Sequence, residues 1–137
     1  TKVNTVFYDG QIYDAYSLFM DILNKAKKEI IIIDNYAGKE LLDILKNIKT
    51  NIVVVSSNID DTLKKKYEMQ YKNVTFINNN KFHDRFIIID KDILYTCGSS
   101  FKDLGKKCFY IGLIEDREIL NKIISKLTNV QGCNLQP

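Results

Sequence analysis

The sequence predicts an α/β domain with a mixed, mostly parallel central sheet and helices packed on its faces. Three observations carry this. The runs "EIIIIDNY" from Glu29 and "NIVVVSS" from Asn51 are apolar without alternation and end in polar residues, as strands buried on both faces do. Segments with apolar residues at helical spacing lie between such runs, which is the rhythm of βαβ units. Later that rhythm stops: "RFIIID" and "ILYTCG" are separated only by "KD", a hairpin length that requires an antiparallel pair.

In chain order, "NTVFYDG" reads as a short strand. "DAYSLFMDILNKAKKE" follows as a helix, with Ala15, Leu18, Phe19, Ile22, Leu23 and Ala26 on one face and Asp14 placed to cap it. After the first buried strand comes a second amphipathic helix, "GKELLDILKNIK", and after the second strand a third helix, "DDTLKKKYEMQYK". "NVTFINN" is the third strand of the alternating part. Beyond the hairpin, "CFYIGLIE" is one more strand, and "DREILNKIISKL" is a last helix capped by Asp116. Open α/β sheets gather their sites beyond the carboxyl ends of the strands. Asp34, Asn35 and Tyr36 stand at one such end, and Ser56, Ser57 and Asn58 at another; Asp34 and Tyr36 are candidates to line a cleft.

The 137 residues suit one domain spanning 1–137. Its 45% hydrophobic and 27% charged residues are ordinary globular composition. No apolar run approaches the roughly 20 residues of a membrane span. The net charge of +3 suits a lysine-rich solvated surface as well as a nucleic-acid partner. Three cysteines lack the spacing of a zinc or redox motif. Cys97 and Cys108 lie in apolar, strand-like surroundings and read as buried free thiols, which points to a reducing, cytoplasmic compartment. The start at Thr1 reads as a piece of a longer chain.

The chemistry concentrates in "KFHDRFIIID" and "CGSSFKDLGKK". His83 is the only histidine, and Arg85 follows two places on. On a strand the two would share a face about 7 Å apart, a separation suited to gripping one phosphate. Asp90 has the opposite parity, so it orders the hairpin or its neighbours rather than attacking substrate. Gly98 permits a tight turn. Ser99 and Ser100 offer hydroxyls and N–H groups for an anion, and Lys102, Lys106 and Lys107 add positive charge. No acidic cluster offers the carboxylates that Mg²⁺ normally requires. The set therefore reads as a phosphate site without metal or cofactor, using His83 as nucleophile. Arg85 and the serine turn would stabilise charge on the non-bridging oxygens.

"HDRFIIID" followed by "GSS" resembles the motif of the phospholipase D superfamily, H-x-K-x-x-x-x-D followed by G-S-x-N. The resemblance covers most of the chain. With "FYDGQIYDAY", "IIIIDNY" and "GSSFKDLGKK" it extends to a group associated with phages and bacteria, in which such a domain follows a small N-terminal DNA-binding module. It implies an α/β/α sandwich around a mixed sheet and a metal-independent phosphodiesterase, most simply a DNA nuclease. One histidine would form a phosphohistidine and a second would protonate the leaving group. Residue by residue, His83 takes the histidine position, Arg85 the lysine, Asp90 the aspartate and Ser99 the serine. Phe101 stands where the motif has asparagine, the Asp90-to-Gly98 spacing is one residue longer, and the supporting glutamate of single-motif nucleases has no counterpart near Cys108. Lys102 or Ser100 would stand in for the asparagine.

With one histidine per chain, the resemblance implies a homodimer that brings His83 from two copies together across a two-fold axis. The competing reading is a phosphate- or nucleic-acid-binding dimerisation module of a phage or bacterial regulator, with turnover lost. A third is a phosphodiesterase or transferase acting on lipid or a small molecule.

Overall fold

The computed structural model describes residues 4–103, 106 and 109–131. Lys107, Cys108 and Cys133, singled out above, lie outside the described residues.

Seven strands and four helices alternate much as the hydrophobic pattern predicts. They are β1 (Asn4–Phe7), α1 (Ile12–Asn24), β2 (Glu29–Ile33), α2 (Lys39–Leu45), β3 (Asn51–Val55), α3 (Asp61–Gln70), β4 (Val74–Ile77), β5 (Arg85–Ile89), β6 (Ile93–Cys97), β7 (Phe109–Ile114) and α4 (Arg117–Gln131). The strands form one sheet in the order β1-β7-β6-β5-β2-β3-β4. It is mixed, as expected, but not mostly parallel. Only β2–β3 and β3–β4 pair in parallel. The β1–β7, β2–β5, β5–β6 and β6–β7 pairs are antiparallel. Hydrophobic pattern identifies a strand but carries no direction. Here direction follows from the segment between β4 and β5, which returns the chain beside β2 in the opposite sense.

Strand periodicity divides the core into two layers, giving the α/β/α sandwich. Ile30 and Ile32 of β2, Ile52 and Val54 of β3, and Ile87 and Ile89 of β5 face α1 and α2. Ile31, Ile33, Val53, Val55 and Ile88 face α4, which meets them with Leu120, Ile123, Ile124 and Leu127 at helical spacing. The unbroken isoleucine run of β2 is thus explained by burial on both sides. In contrast α3 has no fully buried residue. Tyr67 attaches it, donating its hydroxyl to the Leu42 carbonyl at 2.9 Å and lying 4.6 Å from the Tyr71 ring.

The cap of α4 follows the sequence reading, the cap of α1 departs from it, and α3 has a cap the reading did not name. Asp60 accepts from the Leu63 N–H, and Asp116 accepts from the Glu118 N–H at the start of α4. Asp14 is not the cap of α1. It lies within the first turn, and Gln11 occupies the cap position. Gln11 accepts the Tyr8 N–H and donates to Asp14, so the two polar side chains close this corner together.

Asp90 is a structural residue at the far end of β5. It and Lys91 have φ of 54° and 52°, and the Asp92 N–H closes the turn on the Ile89 carbonyl. Positive φ at both central residues suits the twist of a two-stranded hairpin. The Asp90 carboxylate collects the N–H groups of Lys27, Lys28 and Glu29, tying the loop before β2 to the hairpin. Burial alone would raise the pKa of this carboxyl. The N–H groups of Glu29, Lys27 and Lys28, with the charge of Lys28, together hold it below its ordinary value. Such a carboxyl stabilises the fold above its unfolded-chain pKa and loses that contribution as pH falls through the lower folded value. We expect Asp90→Asn to lower the urea midpoint at pH 7, and the gap from the parent to close as the pH drops through the folded Asp90 pKa. A gap that persists unchanged in acid would contradict this assignment.

Candidate active site

The carboxyl ends of β2, β3, β4 and β6 meet the amino end of β5 at one edge of the sheet. This edge collects His83, Arg85, Ser99, Ser100, Lys102, Asp34 and Tyr36. Asp90 does not join them. It sits beyond the opposite end of β5, about 17 Å away at the usual rise per residue.

Asp34 organises the edge instead of lining it. The side chain is wholly buried. One oxygen accepts the Tyr36 N–H at 3.0 Å. The other accepts the Ser100 hydroxyl at 2.7 Å and the Phe101 N–H at 2.8 Å. This corrects the expectation for two residues: Asp34 is not open to a cleft, and the buried Ser100 hydroxyl is committed to Asp34 rather than free for phosphate. Phe101 stands at the motif's asparagine position. It is 1% exposed and stacks on Phe19 of α1 with ring centroids 4.9 Å apart. The departure from the motif has a packing reason: an aromatic anchors the turn after β6 into the core.

The exposed functional groups stand around Tyr36, which is 53% exposed. The Arg85 guanidinium carbon lies 5.6 Å from the Tyr36 ring centroid, and the Lys102 ammonium lies 5.8 Å from it. Two cations thus share one aromatic ring, an attraction that gathers them without neutralising either charge. Ser99 is partly exposed, and the chain before it runs close to β7, where the Gly98 N–H donates to the Tyr110 carbonyl at 2.8 Å. A Cβ at Gly98 would approach the Tyr110 nitrogen to 3.3 Å, so glycine keeps that pairing unstrained.

His83 is exposed and precedes β5, so the loop and not strand alternation places it. The Asn35 amide holds that loop by donating to the Phe82 carbonyl at 2.6 Å. Asn58 in turn donates to the Asn35 carbonyl oxygen, and Ser57 donates to the Asn35 side-chain oxygen. Asn35, Ser57 and Asn58 therefore position the histidine loop from the ends of β2 and β3. Their place at strand ends was legible in the sequence; their partner was not. Sequence reasoning also missed Lys81, Lys122 and Lys126, which line a cavity with His83. The spacing of Lys122 and Lys126 on one face of α4 was visible, but not its proximity to the histidine.

Beneath the site lies Cys97, buried as predicted. Burial pushes its thiol pKa well above the ordinary range, the nearby Asp34 carboxylate adding to the shift and Arg85 opposing it. It is a core side chain and a poor nucleophile. Among the described residues no helix is long and apolar enough to cross a membrane.

No protein-family model and no curated protein matches the chain by sequence. Solved structures do resemble it. NucT from Helicobacter pylori matches with a TM-score of 0.65 at 12% identity, over 94% of this chain and 95% of that one. Nuc from Salmonella typhimurium, a phospholipase D family member, matches with a TM-score of 0.67 at 14% identity, over 94% and 93%. TrmBL2, an archaeal chromatin protein described by its mode of DNA binding, matches with a TM-score of 0.56 at 13% identity, over 92% of this chain and 50% of that one. These chains, the sheet order and the helices on both faces identify the architecture: this protein has the phospholipase D-like fold.

Proposed function

We propose that this chain is a metal-independent phosphodiesterase acting on DNA, with His83 as its nucleophile in a site completed by a second copy. One observation carries the reading: His83 is exposed in the loop that leads directly into β5, whose first residue, Arg85, shares the Tyr36 ring with Lys102. A histidine nitrogen can attack phosphorus while the two cations take up charge on the non-bridging oxygens. The P–O bond to the leaving group breaks, and the His83 of the second copy gives that oxygen its proton. Water then attacks the phosphohistidine, losing a proton to the same second histidine and returning both side chains to their starting state. A neighbour described by its DNA binding, TrmBL2, favours a nucleic-acid substrate.

A second reading, a binding and dimerisation module that holds phosphate without turnover, is favoured by Phe101. Its burial leaves no donor at the asparagine position. Incubation with single- and double-stranded DNA in EDTA separates the two. Cleavage that requires His83 supports the enzyme; retained binding without cleavage supports the module.

Arg85 is the residue expected to bind the phosphate in either reading. Arg85→Ala removes a charge-assisted hydrogen bond of about 1.5–3 kcal/mol, or roughly 10- to 100-fold in phosphate-dependent affinity. Arg85→Lys retains the charge but not the bidentate fork and should fall between. Titration with a short labelled oligonucleotide measures both, and equal affinity of Arg85→Ala and the parent would remove Arg85 from the site.

A further inference from the structure

On the α4 side of the histidine loop, a cavity of about 310 Å³ opens beside His83. Its floor is apolar. Phe82 and Phe86 meet edge to face with centroids 6.4 Å apart, and Ile123 is nearly buried, while Ile119 remains 41% exposed at the margin. Its rim is basic: Lys81, Lys122 and Lys126 line it together with the carboxylate of Asp84. Lys122 and Lys126 are four residues apart, so they project from one face of α4 about 6 Å apart along its axis. Lys122 lies 3.6 Å from Glu118, but both side chains are more than 70% exposed, and such a surface pair exchanges readily for another anion.

We propose that this groove holds a single-stranded nucleic-acid segment, with a nucleobase of the nucleotide flanking the His83-bound phosphate on the apolar floor and the strand's phosphates on the lysine rim. The proposal rests on the phosphodiesterase reading for the identity of the bond at His83, and on the groove itself for the rest. The volume admits one base, not a base pair. A base offers its flat face to aromatic and aliphatic side chains only when it is unstacked and unpaired. Within a duplex the bases stay stacked, so only the phosphates could reach the rim. The groove therefore favours single strands over duplexes, and polymers over small diesters.

The test uses the His83→Ala protein, which prevents cleavage, and labelled DNA of about 12 nucleotides in single-stranded, duplex and abasic forms. Binding is followed by anisotropy across a salt series. Lys122→Gln with Lys126→Gln is expected to lower the salt slope for single strands by about 1.4, two contacts at about 0.7 each. Ile119→Ser, which adds no charge, is expected to weaken single-strand binding several-fold while leaving duplex binding unchanged, and to reduce the preference for DNA over its abasic form. Both changes are at exposed positions, and circular dichroism verifies the fold.

An unchanged salt slope in the lysine variant overturns the proposal, as does equal weakening of duplex and single strand by the Ile119 change. Loss of binding to phosphatidylglycerol vesicles without loss of DNA binding assigns the groove to lipid instead. A shifted monomer–dimer equilibrium without loss of DNA binding assigns it to a second copy. If the His83-containing protein cleaves no DNA in EDTA while the slope still falls, the groove stands and the phosphodiesterase reading fails; cleavage with an unmoved slope is the converse.

Discussion

Replacing Asp34 with alanine is expected to destabilise the protein by about 3 kcal/mol. The change strands the Ser100 hydroxyl and the Phe101 N–H in a buried place, and each such orphan costs about 1–3 kcal/mol. Relief from burying a carboxyl offsets part of the sum. Against a stability of about 5–15 kcal/mol for a domain of this kind, the loss is large. Asp34→Asn should cost less, about 1–2 kcal/mol. Its one remaining oxygen can serve the two donors of Ser100 and Phe101, which leaves the amide facing the Tyr36 N–H. Ser100→Ala should cost about 1 kcal/mol, because Phe101 still satisfies the same Asp34 oxygen. Urea unfolding orders the three variants. A midpoint for Asp34→Ala close to the parent would show that Asp34 does not hold the two loops together. An Asp34→Asn variant as damaged as the alanine would show that the acceptor pair acts as a unit.

The second large effect concerns His83. Its replacement by alanine is expected to reduce EDTA-resistant phosphodiester cleavage by about 10³-fold or more, because in the proposed mechanism it is both the nucleophile and, from the second copy, the acid. The sharper form of the experiment mixes the two proteins. In a homodimeric site each half supplies one histidine, so a mixed dimer has only one. After equal amounts exchange fully, about a quarter of the dimers retain both histidines, and activity per parent subunit falls to about half. A monomeric enzyme would keep its full activity per parent subunit under the same mixing. The same result distinguishes a two-fold site from a His83 that acts alone with water as the acid. His83 is exposed and outside regular structure, so the alanine variant should retain the parent's urea midpoint.

The legible part of this protein follows from periodicity. The isoleucine run of β2 announced a strand buried on both faces, and it is. Helical spacing found Ala15, Phe19, Ile22 and Leu23, all of which pack in the core. Asp116 was legible at the start of α4 because a short polar side chain satisfies a free N–H there, a rule local enough to see in a few residues. The hairpin was visible for the same reason: too few residues lie between its strands for any other connection. Local rules failed at Asp14, where a glutamine one turn earlier closed the corner, and at the direction of the β1–β7, β2–β5 and β6–β7 pairs.

The site shows the same division. His83 and Arg85 were recognisable because they lie two residues apart in a motif. Asp34 and Ser100 were found as polar residues at strand ends but assigned the wrong partners. They are 66 residues apart in the chain, and only the folded sheet brings the end of β2 against the turn after β6. Once there, each satisfies the other, and neither faces solvent. The lysines of α4 met His83 by the same route.

By itself, then, the sequence determined which segments are strands and helices, which faces they bury, and which histidine and arginine are the candidates for the chemistry. Each of these depends on side-chain character over a few neighbouring positions. Tertiary structure alone decided that the sheet is largely antiparallel, that Asp34 is a buried keystone and Asp90 a distant one, and that Phe101 is core rather than ligand. It also decided that a basic groove opens beside His83. Those outcomes depend on which distant groups share a hydrogen bond or a packing surface, and the energy of such a contact is set when the chain closes on itself, not along its length.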